Sequence, residues 1–396
     1  MKEYLKNKDY TMQYIDNFFR TFANSIYAVF TPVILYKSGV NVTMIIFIYM
    51  IQFLIMGIFT PLSGTCLKKI GAANTKLLSY ILKTLSMILV LTVDTNIYYY
   101  LAIAIVYGIS GAINNPLNTY IPSKLVEENF RGRFNAFVYI LRCFSSIIGY
   151  IFVGVFLTKD NNLAIALSVF FSYLIAYIGL AQIDKNKLKY EMNEPIKESY
   201  KYLIKKHENT RLKLVSGLRS CIIIERLIAV PLYLYITLMD LKTFTSLYII
   251  STIIELLSLF IAGRKLDKNK IKTFNIISII KGITTSIFIL SKNLYLLMIN
   301  QSVYKLVDNV YDSAYSALSQ SKVENDKKST ILLSIIHEMC LCFFEFIVLL
   351  MLLIISMFNV EITFKVMFAS SIVYYLSSSP ISISISTISL LAPSSV

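Results

Sequence analysis

Gly263-Arg264-Lys265-Leu266-Asp267-Lys268 is a short basic turn held between two long apolar runs, and the rest of the chain can be read outward from it. A hydrophobic helix ends there and another begins near Ile271. A shift of 199 residues, without a gap, places Gly64 on Gly263, Pro32 on Pro231, Tyr36 on Tyr235, Tyr49 on Tyr248 and Arg20 on Arg219. Register and segment order repeat together. Self-similarity at half the chain length marks a membrane carrier built from two copies of one helical unit.

Composition sets the class. Of the 396 residues 56% are hydrophobic and only 15% charged, with a mean hydropathy of +0.65. That is more apolar surface than a water-soluble core buries, so the chain belongs in a bilayer. A helix needs about 20 apolar residues to cross the hydrocarbon. Twelve such segments can be placed: 12–36, 41–65, 73–93, 97–121, 134–157, 163–182, 212–237, 243–263, 271–291, 294–318, 330–357 and 360–378. The expected organisation is an N-terminal six-helix unit (1–182), a polar linker (183–211), a C-terminal six-helix unit (212–378) and a Ser-rich tail (379–396).

The net charge of +15 is a topology signal. With the N-terminus placed inside, Lys68, Lys69, Lys76, Lys124, Arg131, Arg133, the lysines of the linker, Arg264, Lys265, Lys268, Lys322, Lys327 and Lys328 fall in inward turns. Outward turns keep Lys37, Lys159, Lys242, Lys292 and Lys365. This asymmetry predicts a multi-pass protein of the cell membrane with both termini cytoplasmic. It leaves no basic patch for nucleic acid. The first apolar run is too long for a signal-peptide core, so the first helix is expected to be retained. Cys66, Cys143, Cys221, Cys340 and Cys342 sit at or within the spans and read as small apolar residues, not as a zinc site or a disulfide.

Gly64, Lys69 and Gly71, after the second span, resemble the loop between helices 2 and 3 of the major facilitator superfamily, a motif of Gly, three residues, Asp, a basic residue, any residue and Gly. Lys68 stands at the acidic position and Ala72 where a base usually follows. The second copy keeps Gly263, Asp267 and Lys268, with Lys270 in place of the second glycine. Arg131-Gly132-Arg133 resembles the superfamily's loop between helices 4 and 5. The resemblance implies an all-α membrane fold of two pseudo-symmetric six-helix bundles, secondary active transport by alternating access, and a gate in which Asp267 is the releasing acid. Gly108, Gly111, Asn115 and Asn118 form a small, polar helix face suited to close packing. The membrane arginine and Gly-Pro pair of proton-coupled drug exporters are missing, so a drug antiporter assignment has little motif support.

Intramembrane charges carry the remaining information. Each costs roughly 2.5 to 3.5 kcal/mol at a helix centre, so it persists only with a partner or in a wet cavity. The acids are Asp16, Glu225, Glu255, Asp308, Asp312, Glu338 and Glu345; the bases are Arg20, Lys83, Arg142, Arg219, Arg226, Lys281 and Lys305. Two readings stand for most of them: internal ion pairing, or lining of a polar cavity of near-neutral net charge. The resemblance puts the first and fourth helix of each bundle on that cavity, hence Asp16, Arg20, Asn115, Arg219, Glu225, Arg226, Asp308 and Asp312. Lys305, Asp308 and Asp312 share one stripe of helix 10, and Glu225 and Glu255 lie nearest mid-membrane, where a proton-coupling carboxylate is needed. Arg142 and Glu338 occupy corresponding places in the two copies and are candidates to pair across the interface. Lys83 and Lys281 fall on helices expected at the periphery.

No Gly-rich phosphate loop, metal-ligand cluster or Ser/His/Asp arrangement is visible, so no enzyme activity, catalytic residue, metal or cofactor is expected. The expected partners are a small organic substrate, a proton or other coupling cation, and the lipid bilayer, with the chain acting as a monomer. Export is the favoured direction. Nutrient uptake, or a non-transporting receptor that keeps the fold, are the alternatives.

Overall fold

The computed structural model describes residues 7–94, 96–126, 131–184, 188, 195–204, 219–266, 270–291, 293–308 and 330–390. In chain order the helices are α1 (Lys8–Lys37), α2 (Val42–Phe59), α3 (Leu62–Leu91), α4 (Ile97–Leu125), α5 (Arg131–Thr158), α6 (Asn162–Ala181) and the short α7 (Pro195–Ile204). They continue with α8 (Arg219–Leu238), α9 (Leu241–Leu266), α10 (Lys270–Leu290), α11 (294–308), α12 (Thr330–Phe358) and α13 (Val360–Leu390). Among the described residues, six helices precede the linker helix α7 and six follow it, each falling on one of the apolar runs. Among the described residues, eight of the helices are long and apolar enough by themselves to cross a membrane.

The turns repeat as the sequence does. With the face at which α1 begins taken as near and the opposite face as far, each helix that returns from the far face starts on an Asn or Asp whose side chain accepts a backbone N–H of the first turn. The caps are Asn41, Asn96 and Asn161 in the first half and Asp240, Asn293 and Asn359 in the second, spaced 199, 197 and 198 residues from their counterparts. Such side chains satisfy donors that the helix cannot satisfy itself, which lets the hairpins be short. Asp240, outside the membrane, also accepts from the Thr243 hydroxyl, and these bonds hold its carboxyl below the usual range.

The 2–3 corner lies inside the helical run Leu62–Leu91, which is broken at Gly71 with φ 77° and ψ 168°. Only glycine adopts that backbone without strain, which accounts for the motif glycine at this position. Past the break, Lys76 is buried, not in an inward turn as its place after the basic cluster suggests. The last helix also departs from expectation. It runs on to Leu390 through the Ser-rich stretch expected to be a tail, a run with no glycine and, after Pro380, no further proline before Pro393.

In the first bundle α1 packs on α5 and α6, and α3 on α4 and α6; in the second, α13 packs on α8, α10 and α12. The bundles meet along α2 against α12 and α5 against α9. Exposed rows such as Phe144, Ile148, Ile151 and Val155 on α5, or Ile276, Ile279 and Ile283 on α10, are apolar, while Asp16, Lys76, Glu225 and Lys281 are buried. Polar groups inside and apolar ones outside is the arrangement that lipid demands.

The α5–α9 seam depends on a missing side chain. A Cβ on Gly154 would lie 2.6 Å from Thr245 Cγ2, a stiff β-branched group on the other bundle. Gly154→Val is expected to destabilise the protein by about 1–3 kcal/mol through overpacking, read as a lower unfolding midpoint in detergent. Adding Thr245→Ala should restore part of it. An unchanged midpoint for the single variant, or no recovery in the pair, would count against this contact.

Candidate functional site

A cavity of about 390 Å³ lies between the two bundles. Thr21 of α1 and Tyr139, Arg142, Cys143, Ser146 and Tyr150 of α5 form its first wall. Arg219 of α8, Thr252 and Glu255 of α9, and Lys305 of α11 form the second. These residues occupy the middle and near halves of their helices. Toward the far face the bundles close over it through aromatic side chains: Phe30 meets Phe244 at 5.7 Å between ring centroids, Tyr150 meets Tyr248 at 5.7 Å, and Tyr36 meets Tyr235 at 6.2 Å. Tyr36 and Tyr235 are equivalent positions of the two copies, facing each other across the pseudo-twofold axis. Thr43 Oγ1 donates to the Ser356 carbonyl at the same end of the α2–α12 seam, at 3.3 Å.

Behind each wall lies a buried charge cluster. In the first bundle Asp16 is fully buried and takes Tyr80 Oη at 2.6 Å, Lys76 Nζ at 3.4 Å and Arg20 Nε at 3.4 Å. Lys76 also donates to Asn118 Oδ1 at 3.0 Å, and Arg20 to Asn17 Oδ1 at 2.6 Å. Lys83, on the same helix as Lys76, donates to Asn24 Oδ1 at 3.3 Å. In the second bundle Lys281 Nζ and Arg226 both reach Asp308 Oδ1, at 2.5 and 2.7 Å. Lys281 also sits 3.2 Å from the centre of the Tyr304 ring, a cation–π contact. Lys83 and Lys281 therefore point into their bundles although their helices lie toward the outside.

Glu225 is held differently, by hydroxyls: Thr285 Oγ1 at 2.9 Å and Tyr375 Oη at 3.4 Å. It opens a five-residue widened turn, Glu225–Ala229, in which the Val230 N–H bonds the Glu225 carbonyl. Pro231, having no N–H, removes the ordinary bond to the carbonyl four residues back, and the helix relaxes around the gap.

Of the residues singled out from the sequence, Arg142, Arg219 and Glu255 line the cavity, joined by Lys305. Asp16, Arg20, Glu225, Arg226 and Asp308 lie in the bundle clusters instead. Asn115 donates to Glu338 Oε2 at 3.4 Å, linking α4 to α12 across the interface, and Arg219 lies within electrostatic reach of Glu338. Arg142 donates to Asn17 Oδ1 at 3.2 Å and stacks over Tyr139. Near neutrality, expected of the whole set, does not hold at the cavity wall: among the described lining residues three are cationic and one is a carboxylate. Asp312, Asp267 and Lys268 lie outside the described residues. Of the remaining gate positions, Gly64 and Gly71 flank the exposed Lys68 and Lys69, Gly263 falls within α9, and Arg131 begins α5. Lys76 is the buried partner that the sequence reading missed; nothing in its local sequence distinguishes it from the basic cluster that precedes it.

The family model of the major facilitator superfamily matches residues 17–332, most of the chain. The chain belongs to the major facilitator superfamily. Solved structures agree with this superfamily member over almost its whole length. A bacterial homologue of the iron transporter ferroportin, in its outward-facing state, superposes with a TM-score of 0.66 at 12% identity, covering 96% of this chain and 99% of that one. The nucleoside transporter NupG gives 0.66 at 12% identity, with 96% and 99% covered. A D-xylose–proton symporter gives 0.66 at 11% identity, with 95% and 96% covered. No curated protein sequence matches the chain. At these identities the structures show the fold alone, twelve helices in two bundles; membership of the superfamily is what makes the chain an integral membrane transporter.

Asp16 is the carboxylate that neutralises its cluster, so Asp16→Asn should leave Arg20 and Lys76 buried against neutral groups and destabilise the protein by about 3–5 kcal/mol. Thermal unfolding of the purified protein would show it, and adding Lys76→Met should recover part of the loss. A single variant as stable as the parent would refute the pairing.

Proposed function

We propose that this protein is a proton-coupled secondary active transporter of a small polar organic molecule, working by alternating access at the cavity between its bundles. The observation that carries the reading is the placement of Glu255 and Lys305 on that cavity, within electrostatic reach of each other. Lys305 also lies 5.9 Å from the centre of the Tyr248 ring, directly under the far-side aromatic closure. Charge or substrate at Lys305 is therefore positioned to act on the contact that must open when the bundles rock.

The coupling logic follows from charge. Ionised Glu255 attracts Lys305 and holds it. A proton on Glu255 removes that attraction and leaves Lys305 to a ligand. The other groups acting on Glu255 are Asp308 from α11, Lys281 from α10 and Arg226 from α8, with Tyr150 facing it from α5. Proton and substrate then load together, which favours symport, and so nutrient uptake, over the export expected from the sequence. The inward bias of Lys and Arg supports both termini in the cytoplasm, and on this reading the protein acts as a monomer in the cell membrane.

The test is reconstitution into liposomes with a low-molecular-weight cell extract outside and an inward proton gradient. At least one component should accumulate above equilibrium in the wild type, and Glu255→Gln should only equilibrate it. A wild type that moves nothing would favour a receptor, and undiminished gradient-driven accumulation by Glu255→Gln would remove Glu255 from the coupling.

A further inference from the structure

The cavity wall is rich in donors. Beside Arg142, Arg219 and Lys305 it presents hydroxyls from both bundles, and Glu255 is the carboxylate among the described lining residues. We infer that the cavity takes an organic anion, its carboxylate or phosphate group held between Arg142 of the first bundle and Arg219 of the second, an inference that rests on the transport reading of this cavity.

Three physical arguments support the choice of ligand. An uncharged ligand could make only neutral-acceptor bonds to the guanidiniums, weaker than the charge-assisted bonds an anion accepts. A cationic ligand would meet a wall of its own sign. A carboxylate or phosphate instead matches the planar fork of an arginine and accepts two parallel N–H bonds from it.

The arginines are also placed to make the anion part of the conformational switch. Arg142 is anchored on Asn17 and the Tyr139 ring, both in the first bundle. Arg219 starts α8 in the second bundle, beside Glu338 of α12. As the bundles close around an empty chamber, two guanidiniums approach each other with no anion between them, and their repulsion grows as distance falls. An anion between them turns that repulsion into attraction from both sides. The substrate then lowers the barrier to closure, and the return of the empty carrier is the slower leg of the symport cycle. The volume of about 390 Å³ lies at the small end of the roughly 300–1,000 Å³ usual for small-molecule sites, which suits a compact metabolite and not an extended lipid-like compound.

The experiment measures the unfolding midpoint of the purified wild type in detergent at matched ionic strength, with succinate, benzoate, inorganic phosphate, glucose 6-phosphate, uncharged glucose and cationic tetraphenylphosphonium. At least one of the anions should raise the midpoint in a saturable way, and glucose and tetraphenylphosphonium should not. Carboxylate-only or phosphate-only stabilisation tells which group the site takes. Arg142→Gln and Arg219→Gln should each weaken anion binding by roughly tenfold or more, with the lysine variants intermediate. Should either variant fail to fold, the wild-type ranking of anion over neutral and cation decides alone. Stabilisation by glucose or tetraphenylphosphonium alone, by no probe, or by an anion whose affinity both arginine variants leave unchanged would overturn the inference. The measurement needs no gradient and no turnover. Anion binding without gradient-driven accumulation therefore sinks the transport reading and leaves the anion site, whereas gradient-driven accumulation of an uncharged or cationic compound does the reverse.

Discussion

The cost of a charge in hydrocarbon organises this protein. At roughly 2.5–3.5 kcal/mol for each unpartnered group at a helix centre, the ionisable side chains of the spans cannot stand against lipid, and the helices turn so that they meet one another. Asp16 gathers Arg20, Lys76 and Tyr80 inside the first bundle, and Asp308 gathers Arg226 and Lys281 inside the second. In each case the lysine comes from the third helix of the bundle, reaching inward from an otherwise lipid-facing element. These pairs fix the rotation of α3 and α10 about their own axes, since any other rotation would present a lysine to the bilayer.

With those charges satisfied within the bundles, the seam between them is left to other forces. It is built from close backbone approach at Gly154, aromatic contacts at the far face and a few hydrogen bonds such as Asn115 to Glu338. Such contacts are individually weak and directional only in part. A rigid bundle beside a modest seam is what two bodies need in order to pivot without unfolding. Among the described residues, the charged groups at the seam include Glu338 and those of the cavity, Arg142, Arg219, Glu255 and Lys305, where ligand and proton can alter their balance.

The linker ties the moving parts together. The helix Pro195–Ile204 packs against both α3 and α12, and the Tyr200 hydroxyl donates to the Ile58 carbonyl at 2.7 Å, near the end of α2. The carbonyls at the end of α2 lack some helical partners because the chain turns at Thr60-Pro61, where proline has no N–H to offer. Its docking on a helix of each bundle was not readable from the polar linker sequence.

The sequence by itself determined the twelve spans, their arrangement as two copies, and the corners. Apolar length, the 199-residue register and residues such as Gly71 and the Asn caps act locally, through the lipid thickness and backbone geometry, and need no knowledge of neighbours. Tertiary structure alone decided which charges share a chamber. Glu255 and Asp308 both lie deep in apolar helices, yet one faces the cavity and the other its own bundle, and Lys76, which reads as part of a basic turn, is buried against Asp16. Successive residues on a helix differ by about 100° in direction, so hydropathy locates a charge along the membrane normal and leaves its bearing to be set by the helices packed around it.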